Sequence, residues 1–192
     1  DNALQAYDFL ARTYFNDAAR ALGDMDDERA KALFAKYRET VLRVDPAASL
    51  QAREVEFLNA LGTLYNKRYN EDRSEMHWFT MAVNTFEEVL KLEPDNYGAN
   101  YNLATLHYNR GVVRIRGITA DDDIPGIQRI QEVSRDYFQQ ALPYMLKAYE
   151  LNPGRRETLV GLEGIYYSLQ DRENSDRFRR LFEELPPQEQ DR

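Results

Sequence analysis

Apolar residues recur along almost the whole chain with the spacing of one face of an α-helix. This period predicts eight helices, and no alternating run of Val, Ile or Thr of strand length interrupts them. The expected fold class is therefore all-α. The predicted helices cover residues 3–22, 26–44, 52–69, 74–92, 97–116, 125–151, 155–169 and 172–185.

Prolines and short polar residues mark the ends of these helices. Pro46, Pro94 and Pro153 each follow an apolar and then a polar residue, and a proline disfavours helix in the residue before it. Because the same ending occurs three times, the chain is expected to contain a repeat. Polar residues that suit N-terminal helix caps stand at 95–96, 122–123 and 171.

The segments between these prolines share a second pattern. Leucine at 58 and 61, Gly62 and Tyr65 have the spacing L-x2-L-G-x2-Y, and Ala82 and Phe86 have the spacing A-x3-F. Small residues let two helices approach closely while the aromatic residues fill the space beside them. Related patterns occur at 100–108, 141–153 and 159–167.

These motifs resemble the tetratricopeptide-repeat family, over about residues 52–170. The resemblance implies a right-handed superhelix of about four antiparallel helix pairs with elongated helices and a terminal capping helix. It would form a single domain over 1–185, followed by a polar tail at 186–192. The expected repeat units are 3–46, 52–94, 97–153 and 155–185.

The sequences at 101–112 and 141–153 resemble those of bacterial cell-envelope members of that family, which have lengthened repeats. The resemblance implies the periplasm or cell envelope of a bacterium, with the cytoplasm as the alternative. Since the chain begins at Asp1 rather than at a methionine, we expect it to be processed or to be part of a longer chain.

The resemblance also implies a concave groove lined by the first helix of each pair. Amide and tyrosine side chains there suit recognition of a peptide, although each tyrosine is equally well explained as core. The family's clamp for acidic chaperone tails is matched only at Asn102, so capture of a C-terminal carboxylate is not expected. The groove residues implied are Asn59, Thr63, Asn66, Tyr101, Thr105, Tyr108, Asn109, Val160, Gly164 and Tyr167.

The repeats are longer than the family's usual length of about 34 residues. The interval from Pro46 to Pro94 exceeds that length, and the interval from Pro94 to Pro153 exceeds it further. Most of the surplus in the longer unit lies at 112–135. Two interpretations stay open, because such an insertion is either a binding face or a brace against a neighbouring unit.

Composition and charge exclude several classes of function. The formal net charge is −8, which disfavours nucleic acid and anionic membrane surfaces as partners. No apolar run reaches the length of about 18 residues needed to cross a bilayer, so membrane insertion is not expected. The chain has no cysteine, which excludes disulfides and thiolate metal sites. No cofactor is predicted.

Candidate chemistry is sparse. His77 and His107 do not form a zinc motif, and a structural role is favoured for both. The acidic run 121–123 suits calcium in principle, but a helix-capping turn is the favoured interpretation because no EF-hand loop follows. Glu163 occupies a position where a small residue is expected, and we predict that it pairs with Arg177, Arg179 or Arg180.

We therefore predict a non-catalytic protein-interaction scaffold that binds a partner peptide or helix. The alternative is a structural or self-assembling module, a homo-oligomer, that stacks through its terminal helices or through the insertion at 112–135. An apolar stripe left open on the first helix would favour that alternative; its residues are Leu4, Tyr7, Leu10, Ala11 and Tyr14. An enzyme is the third and least favoured hypothesis, since it would need a pocket with convergent carboxylates.

Overall fold

The computed structural model describes residues 2–186 and contains eight α-helices and, within that range, no strand. Each helix begins and ends within two residues of a predicted one, so the all-α prediction is confirmed. Of the tail predicted at 186–192, residues 187–192 lie outside the described range. The helices are α1 (Asn2–Gly23), α2 (Asp27–Val44), α3 (Gln51–Glu71), α4 (Met76–Leu92), α5 (Tyr97–Arg116), α6 (Ile124–Leu151), α7 (Arg156–Ser168) and α8 (Arg172–Glu184).

The predicted N-terminal caps are formed. The side chain of Asn96 accepts the third backbone N–H of α5 at 2.9 Å, and the side chain of Asp171 does the same for α8 at 3.1 Å. At the start of α6, Asp123 accepts the N–H of Gly126 at 2.8 Å. These bonds satisfy backbone donors that have no partner inside the helix, so each helix begins where its cap stands.

The chain divides after Pro94 into two compact units. In the first unit α1 packs against α2 and α3 packs against α4; in the second unit α5 packs against α6 and α7 packs against α8. The two helices of each pair are joined by a short loop, which makes them antiparallel hairpins. Helix α7 also packs against α6 and α5 within the second unit.

Within residues 2–186, every helix is too short or too polar to cross a membrane.

A glycine brings the two helices of a pair together in both units; the repeat pattern predicted this contact at Gly62 but not at Gly111. A Cβ atom at Gly62 of α3 would lie 2.8 Å from the ring of Phe86 on α4, and one at Gly111 of α5 would lie 2.5 Å from the ring of Phe138 on α6. Phe86 is completely buried and Phe138 almost so. Each aromatic ring therefore occupies the space that a side chain would need.

A buried ion pair ties α2 to α3 in the first unit. Arg68 Nη1 lies 2.9 Å from Asp27 Oδ1, and the Tyr65 hydroxyl donates to Asp27 Oδ2 at 3.2 Å. Burial raises the pKa of Asp27, but the charge and hydrogen bond of Arg68, the charge of Lys31 and the Tyr65 hydroxyl together outweigh burial and hold that pKa below its ordinary value. Neither Asp27 nor Arg68 is singled out by the sequence patterns.

The same arginine holds the turn before α2. Met25 has a φ of 61°, a left-handed conformation that costs a non-glycine residue about 1–3 kcal/mol. Its carbonyl oxygen accepts a hydrogen bond from Arg68 Nη2 at 2.6 Å. The guanidinium group also lies over the ring of Trp78, 4.5 Å from its centroid. Arg68 therefore connects the α1–α2 turn, α2 and α4.

The helix pairs of the second unit differ in length. Helix α5 has 20 residues and α6 has 28, whereas α7 and α8 have 13 each. At about 1.5 Å per residue, α6 is roughly 42 Å long and α7 roughly 20 Å long. Because the second pair is shorter, α7 and α8 cover only part of the α5–α6 hairpin.

Removing Arg68 should destabilise the protein, because Asp27 would lose its nearest cationic partner and keep the longer contact to Lys31, 3.5 Å away. We expect Arg68→Met to lower the free energy of unfolding by about 2 kcal/mol, since Lys31 and Tyr65 still contact Asp27. Asp27→Asn in the same background should recover part of that loss, since the two changes act on one interaction. Urea denaturation of both single variants and the double variant measures this coupling.

The control is Glu56→Gln, which removes one side of the exposed Arg53–Glu56 pair, 2.8 Å apart. An exposed pair contributes little to stability, so this variant should unfold like the wild type. Strictly additive losses in the Asp27 and Arg68 variants would contradict the ion pair as the stabilising contact.

Candidate functional site

A cavity of about 510 Å³ lies between α5 and α7 in the second unit. We call it the α5–α7 groove. All the groove residues predicted on these two helices line it together. The residues that line it are Tyr101, Thr105, Tyr108, Asn109, Met145, Glu157, Val160, Gly161, Glu163, Gly164, Tyr167 and Arg179.

Helical spacing explains why these residues share one face. Tyr101, Thr105 and Tyr108 follow one another at intervals of four and three residues, and Val160, Gly164 and Tyr167 do the same. The opposite face of α7 carries residues 159, 162 and 165, which are buried in the core. The apolar face of α7 is thus held inside while its other face lines the groove.

Two glycines on α7 set how closely it approaches its neighbours. A Cβ atom at Gly164 would lie 2.8 Å from the hydroxyl oxygen of Tyr108 on α5. A Cβ atom at Gly161 would collide with the end of the Met145 side chain on α6. Any larger residue at either position would push α7 outward or displace these side chains, so the shape of the groove depends on both glycines.

The tyrosines of the groove fall into two classes. Tyr101 and Tyr108 are half-buried and pack against the core cluster of the second unit while they also line the groove. Tyr167 is 67% exposed and Val160, two turns earlier on α7, is 50% exposed. Tyr101 and Tyr108 are therefore both core residues and groove residues, the two roles that the sequence left open. Tyr167, in contrast, exposes most of its side chain to solvent.

Both carboxylates of the groove are paired. Arg179 Nε donates to Glu163 Oε1 at 2.7 Å, which confirms the predicted arginine partner of Glu163. Arg155 Nε lies 3.0 Å from Glu157 Oε1. Because the acidic side chains have cationic neighbours, the groove offers mainly tyrosine, amide and apolar surface.

The remaining three predicted groove residues belong to the other unit. Asn59, Thr63 and Asn66 lie on one face of α3, with Thr63 exposed and the two asparagines half-buried. The Thr63 hydroxyl donates to the carbonyl oxygen of Asn59 at 2.8 Å. Asn70 donates to the side-chain oxygen of Asn66 at 3.3 Å. The α5–α7 groove therefore gathers the predicted residues of two helices, and α3 carries the others.

A second cavity of about 680 Å³ continues from the groove at Tyr167, which lines both. It lies where the short α7 ends against the longer α5–α6 hairpin. We call it the arginine cleft; it is lined by Val112, Ile115, Arg116, Phe138, Tyr167, Ser168, Gln170 and Arg172. Apart from Tyr167, the sequence patterns named none of these residues as a site, but Val112, Ile115 and Arg116 fall in the 112–135 insertion, for which a binding face was one of the two open interpretations.

The histidine of α5 and the acidic run have structural roles. His107 is buried, and its ring stacks near those of Tyr137 and Tyr144, with centroids 6.3 and 6.2 Å away. Asp122 accepts hydrogen bonds from the backbone N–H and hydroxyl of Thr119, and Asp123 caps α6. The capping interpretation of the acidic run is thus confirmed.

Among the described residues, no three histidine or carboxylate side chains come together to hold a metal ion.

Comparison of the sequence with protein-family models gives no match, and comparison with curated proteins gives none either. The resemblance to tetratricopeptide repeats therefore rests on the motifs of the chain alone.

His107 should make stability depend on pH. Burial lowers the pKa of His107, because the charged ring loses its hydration. The unfolded chain then binds a proton that the folded chain does not, so stability is complete above the ordinary histidine pKa of about 6.5 and falls as the pH decreases below it. We expect the free energy of unfolding to fall between pH 7.5 and 5.5, and His107→Gln to reduce that slope by at most about 1.4 kcal/mol per pH unit.

The measurement is urea denaturation of the wild type and His107→Gln at four pH values across this range. His77→Gln is the matched control, since His77 is the second histidine of the chain and is exposed. Identical slopes for the wild type and His107→Gln would contradict the assignment.

Proposed function

We propose that this protein is a non-catalytic interaction scaffold that binds a segment of a partner protein in the α5–α7 groove. The observation that supports this most is the convergence of the predicted α5 and α7 residues on one cavity with two exposed apolar side chains, Val160 and Tyr167. Exposed apolar surface inside a concave site favours association with another molecule.

The chemistry of the groove favours a peptide. Tyr101, Tyr108 and Tyr167 offer large, rigid contact surfaces at a low cost in side-chain entropy. Asn109 supplies an amide that is able to donate and accept hydrogen bonds with a peptide backbone. With Glu157 and Glu163 already paired, the groove binds by shape and apolar contact more than by charge.

We extend the proposal to the architecture and the compartment. A right-handed superhelix of tetratricopeptide type is favoured by the close contact at Gly62 and by the complete burial of Ala104, since both residues occupy the small position of that repeat. Localisation in the periplasm or cell envelope of a bacterium, with the cytoplasm as the alternative, stays a prediction from the resemblance. The division of 1–185 into four repeat units is also a prediction from the resemblance.

The second candidate function is self-assembly through α1. On this helix Leu4 is 57% exposed and Phe9 is 72% exposed, whereas Ala11 is buried and Tyr7 and Tyr14 are half-buried. Unshielded apolar side chains of this size favour an interface with another chain. Of the stripe expected from the sequence, Leu4 and Leu10 are therefore exposed, and Phe9 adds a separate exposed apolar side chain on another face of the helix.

The groove proposal predicts that Val160→Asp/Tyr167→Ser weakens peptide binding at least tenfold without changing the melting temperature. Both side chains are exposed, so their loss removes contacts with a ligand and little of the core. The probe is a library of random twelve-residue peptides displayed on phage and selected on the immobilised wild type. The strongest peptides are then synthesised, and their affinities are measured by fluorescence anisotropy.

The matched control is Leu4→Asp/Phe9→Ser, which changes one exposed aliphatic and one exposed aromatic residue on α1. It should bind the selected peptides as the wild type does. Peptides that bind the groove variant and the wild type equally would contradict the groove as the site. Light scattering that finds a concentration-dependent oligomer, lost in the α1 variant and kept in the groove variant, would favour self-assembly instead.

A further inference from the structure

The arginine cleft differs in charge from the rest of the chain. The protein has a formal net charge of −8, yet the residues that line this cleft include two arginines and no carboxylate. Arg116 and Arg172 are both exposed, and neither forms an ion pair with another residue of the described range. The cleft is thus a local cationic site on an acidic protein.

A neighbouring cavity, which shares part of its lining with the arginine cleft, adds a third arginine. It shares Ile115 and Phe138 with the cleft and is lined in addition by Arg135 and by one carboxylate, Glu132. The two cavities together contain three arginines and one glutamate. A concave surface with an excess of one sign of charge and apolar walls concentrates the electric field, so it attracts ligands of the opposite charge.

The walls of the cleft are apolar. Val112 and Ile115 project from the last turns of α5, Ile115 is 37% exposed, and Phe138 of α6 and Tyr167 of α7 complete the surface. A volume of about 680 Å³ accommodates one or two large side chains. The cleft therefore suits an apolar side chain that has a carboxylate beside it.

We propose that the arginine cleft binds an acidic, apolar stretch of the same partner peptide that occupies the α5–α7 groove. This inference rests on the proposed function, because Tyr167 lines both sites and makes them one continuous surface. An aliphatic or aromatic residue of the partner occupies the space beside Ile115 and Phe138. An adjacent Asp or Glu pairs with Arg116 and Arg172.

The unequal lengths of the helix pairs create this site. Helix α7 ends at Ser168, and the turn through Gln170 to Arg172 leads into α8 while α5 and α6 continue past it. Arg116 lies in the last turn of α5, and Arg172 is the first residue of α8. The cleft forms where α7 ends beside the longer α5 and α6. It thus brings the two arginines together although they lie far apart in the sequence.

The experiment repeats the peptide selection on Arg116→Glu/Arg172→Glu and compares the selected sequences with those from the wild type. The matched control is Arg29→Glu/Arg180→Glu, which changes the net charge by the same amount at two exposed arginines outside the cleft. Circular dichroism melting curves check that each variant is folded. Val160→Asp serves as a groove variant, because Val160 lines the groove and not the cleft.

We expect peptides selected on the wild type to contain Asp or Glu next to a large apolar residue. Arg116→Glu/Arg172→Glu should bind them about tenfold more weakly, and replacing the peptide's Asp or Glu by Asn or Gln should cause a similar loss in the wild type only. The control variant should bind as the wild type does. Binding to the wild type should also weaken as salt increases from about 50 to about 500 mM.

Three results would overturn the inference. Peptides without an acidic preference that still lose affinity in Val160→Asp would leave the groove function in place and remove the role of the cleft. A selection that yields no peptide above background on the wild type would remove the groove function as well. A concentration-dependent oligomer that disappears in Arg116→Glu/Arg172→Glu would mean that a second copy of the chain fills the cleft.

Discussion

Close approach of paired helices at a glycine is the constraint on which both units of this protein depend. Gly62 receives the ring of Phe86 in the first unit, and Gly111 receives the ring of Phe138 in the second. Each contact buries an aromatic side chain against helix backbone, where a Cβ atom would overlap it. On α7, Gly164 repeats the arrangement against Tyr108, so the same packing rule that builds the hairpins also shapes the groove.

Polar interactions play different parts in the two units. In the first unit the buried Asp27–Arg68 pair holds helix ends and a strained turn, and it is largely removed from solvent. In the second unit the charged side chains near the groove stay accessible, with Glu163 and Glu157 paired and the arginines of the cleft available to a ligand. Buried charge therefore serves structure here, while the proposed binding relies on exposed charge beside apolar walls.

Much of the candidate site was predictable, because it depends on local periodicity. Residues spaced by three and four along α5 and α7 share a face once those segments are helical, and this alone brings Tyr101, Thr105 and Tyr108 into line. The partner of Glu163 was also predictable, since α8 offers several arginines at suitable positions. Which tyrosines belong to the core and which to the groove was not predictable, because that depends on how far each ring reaches toward a neighbouring helix.

The all-α class, the eight helices and their caps follow from local sequence, because the apolar period, the prolines and the capping side chains act within a few residues of one another. The contact between Arg68 and Asp27, and the cleft that Arg116 shares with Arg172, arise only when the helices pack. The members of each pair lie on different helices, and their meeting depends on helix lengths and on the packing of one hairpin against another. No local pattern encodes such a meeting, since it is the sum of many small packing contacts.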